Sequence, residues 1–471
     1  MRKRRSSSGT GATPESWFQQ HFLLITLIAA LAIAFLAEMP WLSRPVRTYL
    51  LQGDTVALLT LLAAGGPYPV RDSLRRGPNP LLLALLAWCL LSAALAPFRA
   101  FAVAELLRLM LCGGVYFAAS TGLTLREVPL AAYSVLLLGG AVALGGIVQF
   151  GSGQPLRQGE ITSLFGNHEQ FGSFLALLLP VALAFALDRD GEPRVLLGAQ
   201  AITLIVGGAL LLARTRSAWV GGVIGLLVLS LLAFQFVPLR FSRANKSLII
   251  GPPLLIILAF VGFVSVSQIA PLVSARAASL THVLEDTSFA DRLHRWKSAC
   301  RMASDKPVTG WGLGSFPVLQ SRWTHQGDEQ AQVLAHGTGH TNLAHNFWAQ
   351  WVAETGGVGL ALYVAAIAAF FGTGLHALRS MLPGPRRTLL MGCLAGVSAG
   401  VVDAFGAPSY TFPGVSALFW LWVGLGMAAC REGNGRDASL PPTPRGVWIG
   451  SISVGAAAAL IALGVGFVQR L

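Results

Sequence analysis

Runs of roughly 17–25 apolar residues, parted by short polar or Gly/Pro-rich stretches, recur along almost the whole chain. A bilayer core takes about 20 residues of α-helix, so each run predicts a membrane span. They fall near 21–38, 48–65, 79–97, 101–120, 129–150, 171–187, 194–213, 217–237, 247–268, 344–372, 388–407, 413–430 and 447–468. The second run carries Gln52 and Asp54, which leaves twelve spans as the alternative to thirteen. No motif recurs at a fixed offset, so no internal repeat is expected. One hydrophilic stretch, 269–343, breaks the rhythm. The predicted organisation is a polar tail over 1–20, nine helices over 21–268, a large loop over 269–343 and four helices over 344–471.

The loop has its own pattern. In SFADRLHRWKSACRMASDKP, the residues Phe289, Leu293, Trp296, Cys300 and Ala303 follow spacings of four, three, four and three, which predicts an amphipathic helix buried on that stripe. Asp291 and Arg295 are then an i,i+4 pair on its polar side, with Arg295 facing solvent. Pro307 ends the helix, and Gly310, Gly312 and Gly314 predict a flexible turn. SRWTHQGDEQAQVLAHGTGHTNL reads as a polar loop or lid, and HNFWAQWVAETGGVGLALYV enters the next span.

Composition agrees with an all-α polytopic bundle. Only 12% of residues are charged, about half the share of a soluble domain. The basic excess (34 Lys and Arg against 21 Asp and Glu) would suggest nucleic acid in a soluble protein. Here the cations lie in loops between apolar runs, where orientation rules put them. With the N-terminus inside, the inner segments hold 19 of them and the outer short segments 7, which predicts a cytoplasmic N-terminus and places the 269–343 loop outside. The basic, Ser/Gly-rich start predicts a disordered tail, and the run after it a first span rather than a cleaved signal. Five cysteines without paired spacing predict neither a disulfide framework nor a cysteine metal site.

A charge at the membrane edge costs about 2.5–3.5 kcal/mol by insertion scales, so each one needs a reason. Arg214 and Arg216, in LLLARTRSAWVGG, separate two apolar runs on the cation-poor outer side. They either snorkel to lipid phosphates or clamp a phosphate or diphosphate, for which guanidinium geometry is suited. Arg292 lies one turn from Trp296 on the loop helix. His345 opens the tenth span, where a neutral imidazole can act as a general base for a hydroxyl or simply sit at the interface. Gln350 and Glu354 share a helix face, and Glu354 is out of phase with His345. Asn167 and His168, in SLFGNHEQFGSF, either line the same cavity or cap the sixth span. His336, His340 and His345 invite a metal reading, but the glycines between them and the lack of a cysteine or nearby carboxylate speak against it, and no metal site is expected. Trp311 and Trp323 are candidates for sugar stacking. Glu105 and Arg108 read as an internal i,i+3 pair, and Asp403 as a weaker cavity residue.

These elements resemble the signature region of the O-antigen ligase family. The resemblance is carried by Arg292, Trp296, Pro307, Gly312, Gly314, Phe316, His345, Asn346, Gln350, Glu354, Gly356 and Gly359, together with FGNHEQFGSFLALLLP and RTRSAWVGG upstream. It covers about residues 160–365. It implies a helical glycosyltransferase of the bacterial inner membrane that moves a glycan from undecaprenyl diphosphate to an acceptor hydroxyl on the periplasmic side, without metal, cofactor or nucleotide sugar. By the matching positions Arg216 and Arg292 would bind the diphosphate and His345 would activate the acceptor or assist at the diphosphate. Arg214, Asn167, His168, Trp296, Asn346, Gln350 and Glu354 would help bind substrate. The acceptor would be lipid A core, another glycan chain or a protein, so a polymerase or protein O-glycosylating enzyme is the alternative within the family. A polysaccharide transporter or flippase is the alternative from another class. It would be expected to show internal repeats and helices broken at midplane.

Overall fold

The computed structural model describes residues 24–34, 76–152, 160–188, 192–236, 287–324 and 343–431. Among these the regular elements are helices. Six are long and apolar enough to cross a membrane, and the protein is an all-α, multi-pass bundle. The predicted spans at 48–65, 247–268 and 447–468, the tail, and His336 and His340 lie outside the described residues.

In chain order, α1 (Leu24–Ala34), α2 (Asn79–Ala94) and α3 (Arg99–Phe117) come first, α3 closing in a π turn, Ala118–Gly122. Then follow α4 (Glu127–Gly151), α5 (His168–Ala186), α6 (Pro193–Leu212) and α7 (Arg216–Phe236). The loop helix is α8 (Thr287–Asp305), followed by the short α9 (Phe316–Leu319). The last three are α10 (Phe347–Ser380), α11 (Pro385–Asp403) and α12 (Pro413–Ala429). At 34 residues α10 is about 50 Å long, so it outreaches a bilayer core of about 30 Å.

Burial sorts the helices by role rather than by apolarity. α5 is buried along its whole length, packed between α4, α6, α7 and α11. The outer helices α6 and α7 are more apolar, yet Leu197, Leu204, Val223, Leu227, Leu231 and Phe234 are exposed on them, as lipid-facing residues should be. Close contact at the centre rests on small residues. A Cβ on Gly221 would meet the Ala399 carbonyl oxygen at 2.6 Å, and one on Gly396 the Leu177 carbonyl oxygen at 2.9 Å. α11 therefore lies backbone to backbone against both α7 and α5.

α10 breaks at Gly356, whose φ of 69° only glycine adopts without strain. The break accepts the turn that follows α8. Gly357 N donates to Pro307 O at 2.7 Å, Trp311 N to Ala353 O at 3.0 Å, and Gly312 N to Glu354 O at 2.8 Å. Gly312 and Gly314 pack in turn on Ala96 and Phe101, at the α2–α3 junction. The predicted glycine turn is thus the joint that fixes α8 to the bundle.

α8 forms as expected, but with another face buried. Asp291, Arg295, Ser298, Ala299 and Met302 are buried, while Leu293 and Cys300 are exposed and Trp296 is half-buried. Asp291 and Arg295 do pair at i,i+4, Arg295 Nε donating to Asp291 Oδ2 at 3.0 Å, but both side chains are at most 2% exposed. Arg295 Nη1 also donates to Leu343 O at 3.2 Å, tying the helix to the start of α10. The surface position expected for Arg295 is therefore corrected, because its guanidinium is held inside by Asp291 and by the Leu343 carbonyl. Removing one partner of a buried pair strands the other charge. Asp291→Ala is expected to cost about 3 kcal/mol, and Asp291→Leu with Arg295→Met to recover most of it, read as the midpoint of thermal unfolding in detergent.

Candidate functional site

The starts of α5, α7 and α10 and the end of α11 meet at one end of the bundle, and α8 lies across them. The start of α5 is set by Asn167, whose extended backbone and side chain form the cap, Oδ1 accepting from Glu169 N at 2.8 Å. Of the two readings of Asn167, this contact is the capping one. The approach to the cap is tied to α4, where Gln149 Oε1 accepts from Thr162 N and Ser163 N at 3.0 and 2.9 Å. His168 Nδ1 lies 2.9 Å from Glu160 Oε2.

The α6–α7 corner packs on that cap. Thr215 Oγ1 donates to His168 O at 3.0 Å, and the first turn of α5 comes so close that a Cβ on Gly172 would meet Thr215 at 2.7 Å. Arg214 closes α6 with φ at 54°, and Arg216 is the first residue of α7. A cation at that position faces the positive end of the helix dipole, an unfavourable place unless an anion is near. Both arginine side chains are half-buried.

α10 begins with His345, also left-handed at φ 50°, followed by Asn346, whose Oδ1 caps the helix by accepting from Ala349 N at 3.0 Å. Phe347 N donates to Ala404 O at 2.9 Å and Trp348 Nε1 to Val401 O at 3.2 Å, so the start of α10 is fixed against the end of α11. Non-glycine residues in the left-handed region cost on the order of 1–3 kcal/mol and gather at functional sites. Ser163, Arg214 and His345 are the three among the described residues, all at this end of the bundle.

Glu169 joins the parts. Its Oε1 pairs with Arg292 Nη2, and its Oε2 lies 3.2 Å from His345 Nδ1. Arg292 reaches it from α8 and donates through Nη1 to Gly406 O at 3.0 Å, just beyond α11. A Cβ on Gly406 would meet Ser217 at 2.7 Å, so the loop held by Arg292 also seats the first turn of α7. Beneath Glu169, the fully buried Asp403 accepts from Tyr410 Oη at 3.3 Å, with the Ser173 and Ser217 side chains beside it. Arg108 pairs with Glu105, as the i,i+3 spacing suggests, and donates to Tyr410 O at 2.9 Å.

The structure thus brings together Arg292, His345, Asn167 and His168, with Arg216 on the adjoining helix start and Trp296 one turn beyond Arg292. Gln350 and Glu354 are engaged elsewhere. Glu354 accepts from Gly314 N at 3.0 Å and Phe316 N at 3.2 Å, and from Gln350 Nε2 at 3.3 Å, while Gln350 Oε1 accepts from Ala344 N at 3.3 Å. Both are buried in the joint between α10 and the glycine turn. Trp311 and Trp323 pack edge to face on each other, ring centroids 4.9 Å apart, rather than standing as open platforms. Among the described residues no group of three His, Cys, Asp or Glu side chains is arranged to hold a metal ion. Sequence reasoning missed Glu169. The signal was an acidic residue at the edge of an apolar span, beside the two residues that were singled out.

Comparison with known families bears directly on this geometry. Residues 201–364 match the family model described as O-antigen ligase. This segment is similar to the O-antigen ligase family. The match implies glycan transfer of the O-antigen ligase or polymerase type, by a glycosyltransferase-like membrane enzyme. No curated protein matches the chain. The O-antigen ligase segment holds Arg214, Arg216, Arg292, His345, Gln350 and Glu354, but Asn167, His168 and Glu169 lie upstream of it and Asp403 downstream.

Proposed function

We propose that this protein transfers a glycan from an undecaprenyl-diphosphate carrier to an acceptor hydroxyl at the periplasmic face, as in ligation of O-antigen to lipid A core. The observation that carries the reading is the meeting of Arg292, from the loop helix, with His345, from the start of α10, on the two oxygens of one buried carboxylate. This places a fixed guanidinium and an imidazole a few ångströms apart at the membrane edge. The 19-to-7 bias of basic residues supports assigning that edge to the periplasm, with the N-terminus in the cytoplasm of a bacterial inner-membrane protein.

In the proposed reaction the acceptor oxygen attacks the anomeric carbon of the first sugar. The bond from that carbon to the diphosphate oxygen breaks, and its electrons leave with undecaprenyl diphosphate. His345 takes the hydroxyl proton. Arg292 and Arg216 neutralise the charge that grows on the leaving diphosphate, which fixed donors in a water-poor cleft do at little reorganisation cost. The carrier's polyprenyl tail stays in the bilayer beside the bundle.

The test is direct. Purified protein given the lipid-linked glycan should release undecaprenyl diphosphate only when an acceptor is present. Movement of the lipid-linked glycan across a vesicle membrane with its bonds intact would instead favour a transporter. Of the two neighbouring arginines, Arg216 sits at the positive end of α7, where the helix dipole also favours a bound anion. Arg216→Gln is expected to raise the donor KM about tenfold, the equivalent of ~1.4 kcal/mol. Arg214→Asn, which keeps a residue tolerant of the left-handed backbone, should raise it less.

A further inference from the structure

We infer that Glu169 holds the place of the donor's diphosphate on Arg292 and, once displaced, positions His345 for the acceptor. The inference rests on the diphosphate-transfer reading above and goes beyond it to a residue outside the O-antigen ligase segment. Arg292 has both of its terminal nitrogens engaged, one on Glu169 and one on Gly406 O. A diphosphate that approaches Arg292 on the Nη2 side must therefore share or take the position of the Glu169 carboxylate. Two anions on one guanidinium repel each other, and a diphosphate carries more charge than a carboxylate. The incoming donor wins this exchange.

The displaced carboxylate has one neighbour ready to receive it. Glu169 Oε2 is already 3.2 Å from His345 Nδ1, so a rotation of the side chain, without movement of α5, turns the group fully to the imidazole. A carboxylate on Nδ1 fixes that nitrogen as the proton-bearing one and leaves Nε2 as the base, the role that an aspartate plays behind a catalytic histidine in hydrolytic triads. Donor binding thus prepares the base, and the acceptor is activated only with donor in place. Of the other charged groups near Glu169, His168 is paired with Glu160 and Asp403 accepts from Tyr410, while Arg216 at the start of α7 is assigned to the diphosphate.

The experiment measures binding of undecaprenyl diphosphate and, separately, turnover with glycan-linked donor and acceptor. For Glu169→Gln the two should move in opposite directions: binding about tenfold tighter (~1.4 kcal/mol) because no anion competes, and kcat at least tenfold lower. A merely structural role for Glu169 would weaken binding and turnover together. Glu169→Asp, too short to span both partners, should change both quantities in the same directions by smaller factors, and it carries the test if the glutamine variant does not accumulate. Unchanged or weaker binding of undecaprenyl diphosphate by these variants overturns the inference. If Arg292→Ala and Arg216→Gln also bind undecaprenyl diphosphate normally, the diphosphate reading itself fails.

Discussion

His345→Asn protein should insert, fold and bind undecaprenyl diphosphate normally, yet lose glycan transfer by about 10²- to 10⁴-fold, the range for removing a general base. Asparagine is the informative replacement. His345 holds φ at 50°, and Asn is one of the few residues that tolerates this region, whereas alanine adds backbone strain to the chemical loss. The N-cap beside it depends on Asn346 and on Phe347 N bonding Ala404 O, both of which survive the change. Transfer within threefold of wild type, in protein with unchanged thermal stability, would remove His345 from the mechanism. A drop in donor affinity of the same size as the drop in kcat would give it a binding role at the diphosphate.

Much of this site was legible because membranes make charge conspicuous. Arg216 and His345 stand out as polar residues at the boundaries of apolar runs, Arg292 as a cation one turn from Trp296 on the loop helix, and the alternation of predicted spans would put them on one side. The glycines at 310, 312 and 314 marked a turn, but its role as the joint that packs into the break at Gly356 came only from the fold. What stayed hidden depends on which surfaces meet. The apolar stripe of α8 pointed to Leu293 as buried and Arg295 as exposed, but the helix docks through a buried Asp291–Arg295 pair that also bonds the Leu343 carbonyl, a choice that no one-dimensional period contains. Gln350 and Glu354 looked like site residues because they share a face near His345. Glu354 turns instead to the backbone amides of a turn 38 and 40 residues upstream, and Gln350 to Glu354 and to Ala344 N. Glu169 was passed over because its significance lies in two partners 123 and 176 positions away, and only the fold supplies them.

Arg292→Ala is expected to lower kcat by about 10²- to 10³-fold, the usual loss when a fixed donor to developing negative charge is removed. The same substitution leaves Glu169 buried without its guanidinium, so a fall in stability accompanies the loss of activity. The two effects separate in the double variant. Arg292→Ala with Glu169→Gln removes the stranded charge, and its unfolding midpoint should return toward wild type while transfer stays low. Recovery of both together would make Arg292 a structural tie between α8 and α5 and nothing more. Arg292→Lys supplies a third arm. Lysine restores the charge but not the planar fork that spans Glu169 and Gly406 O, 114 residues from Arg292 along the chain. It should therefore regain part of the donor affinity and little of kcat. The diphosphate in flight needs a donor held at a fixed angle, and a flexible ammonium provides charge without that angle.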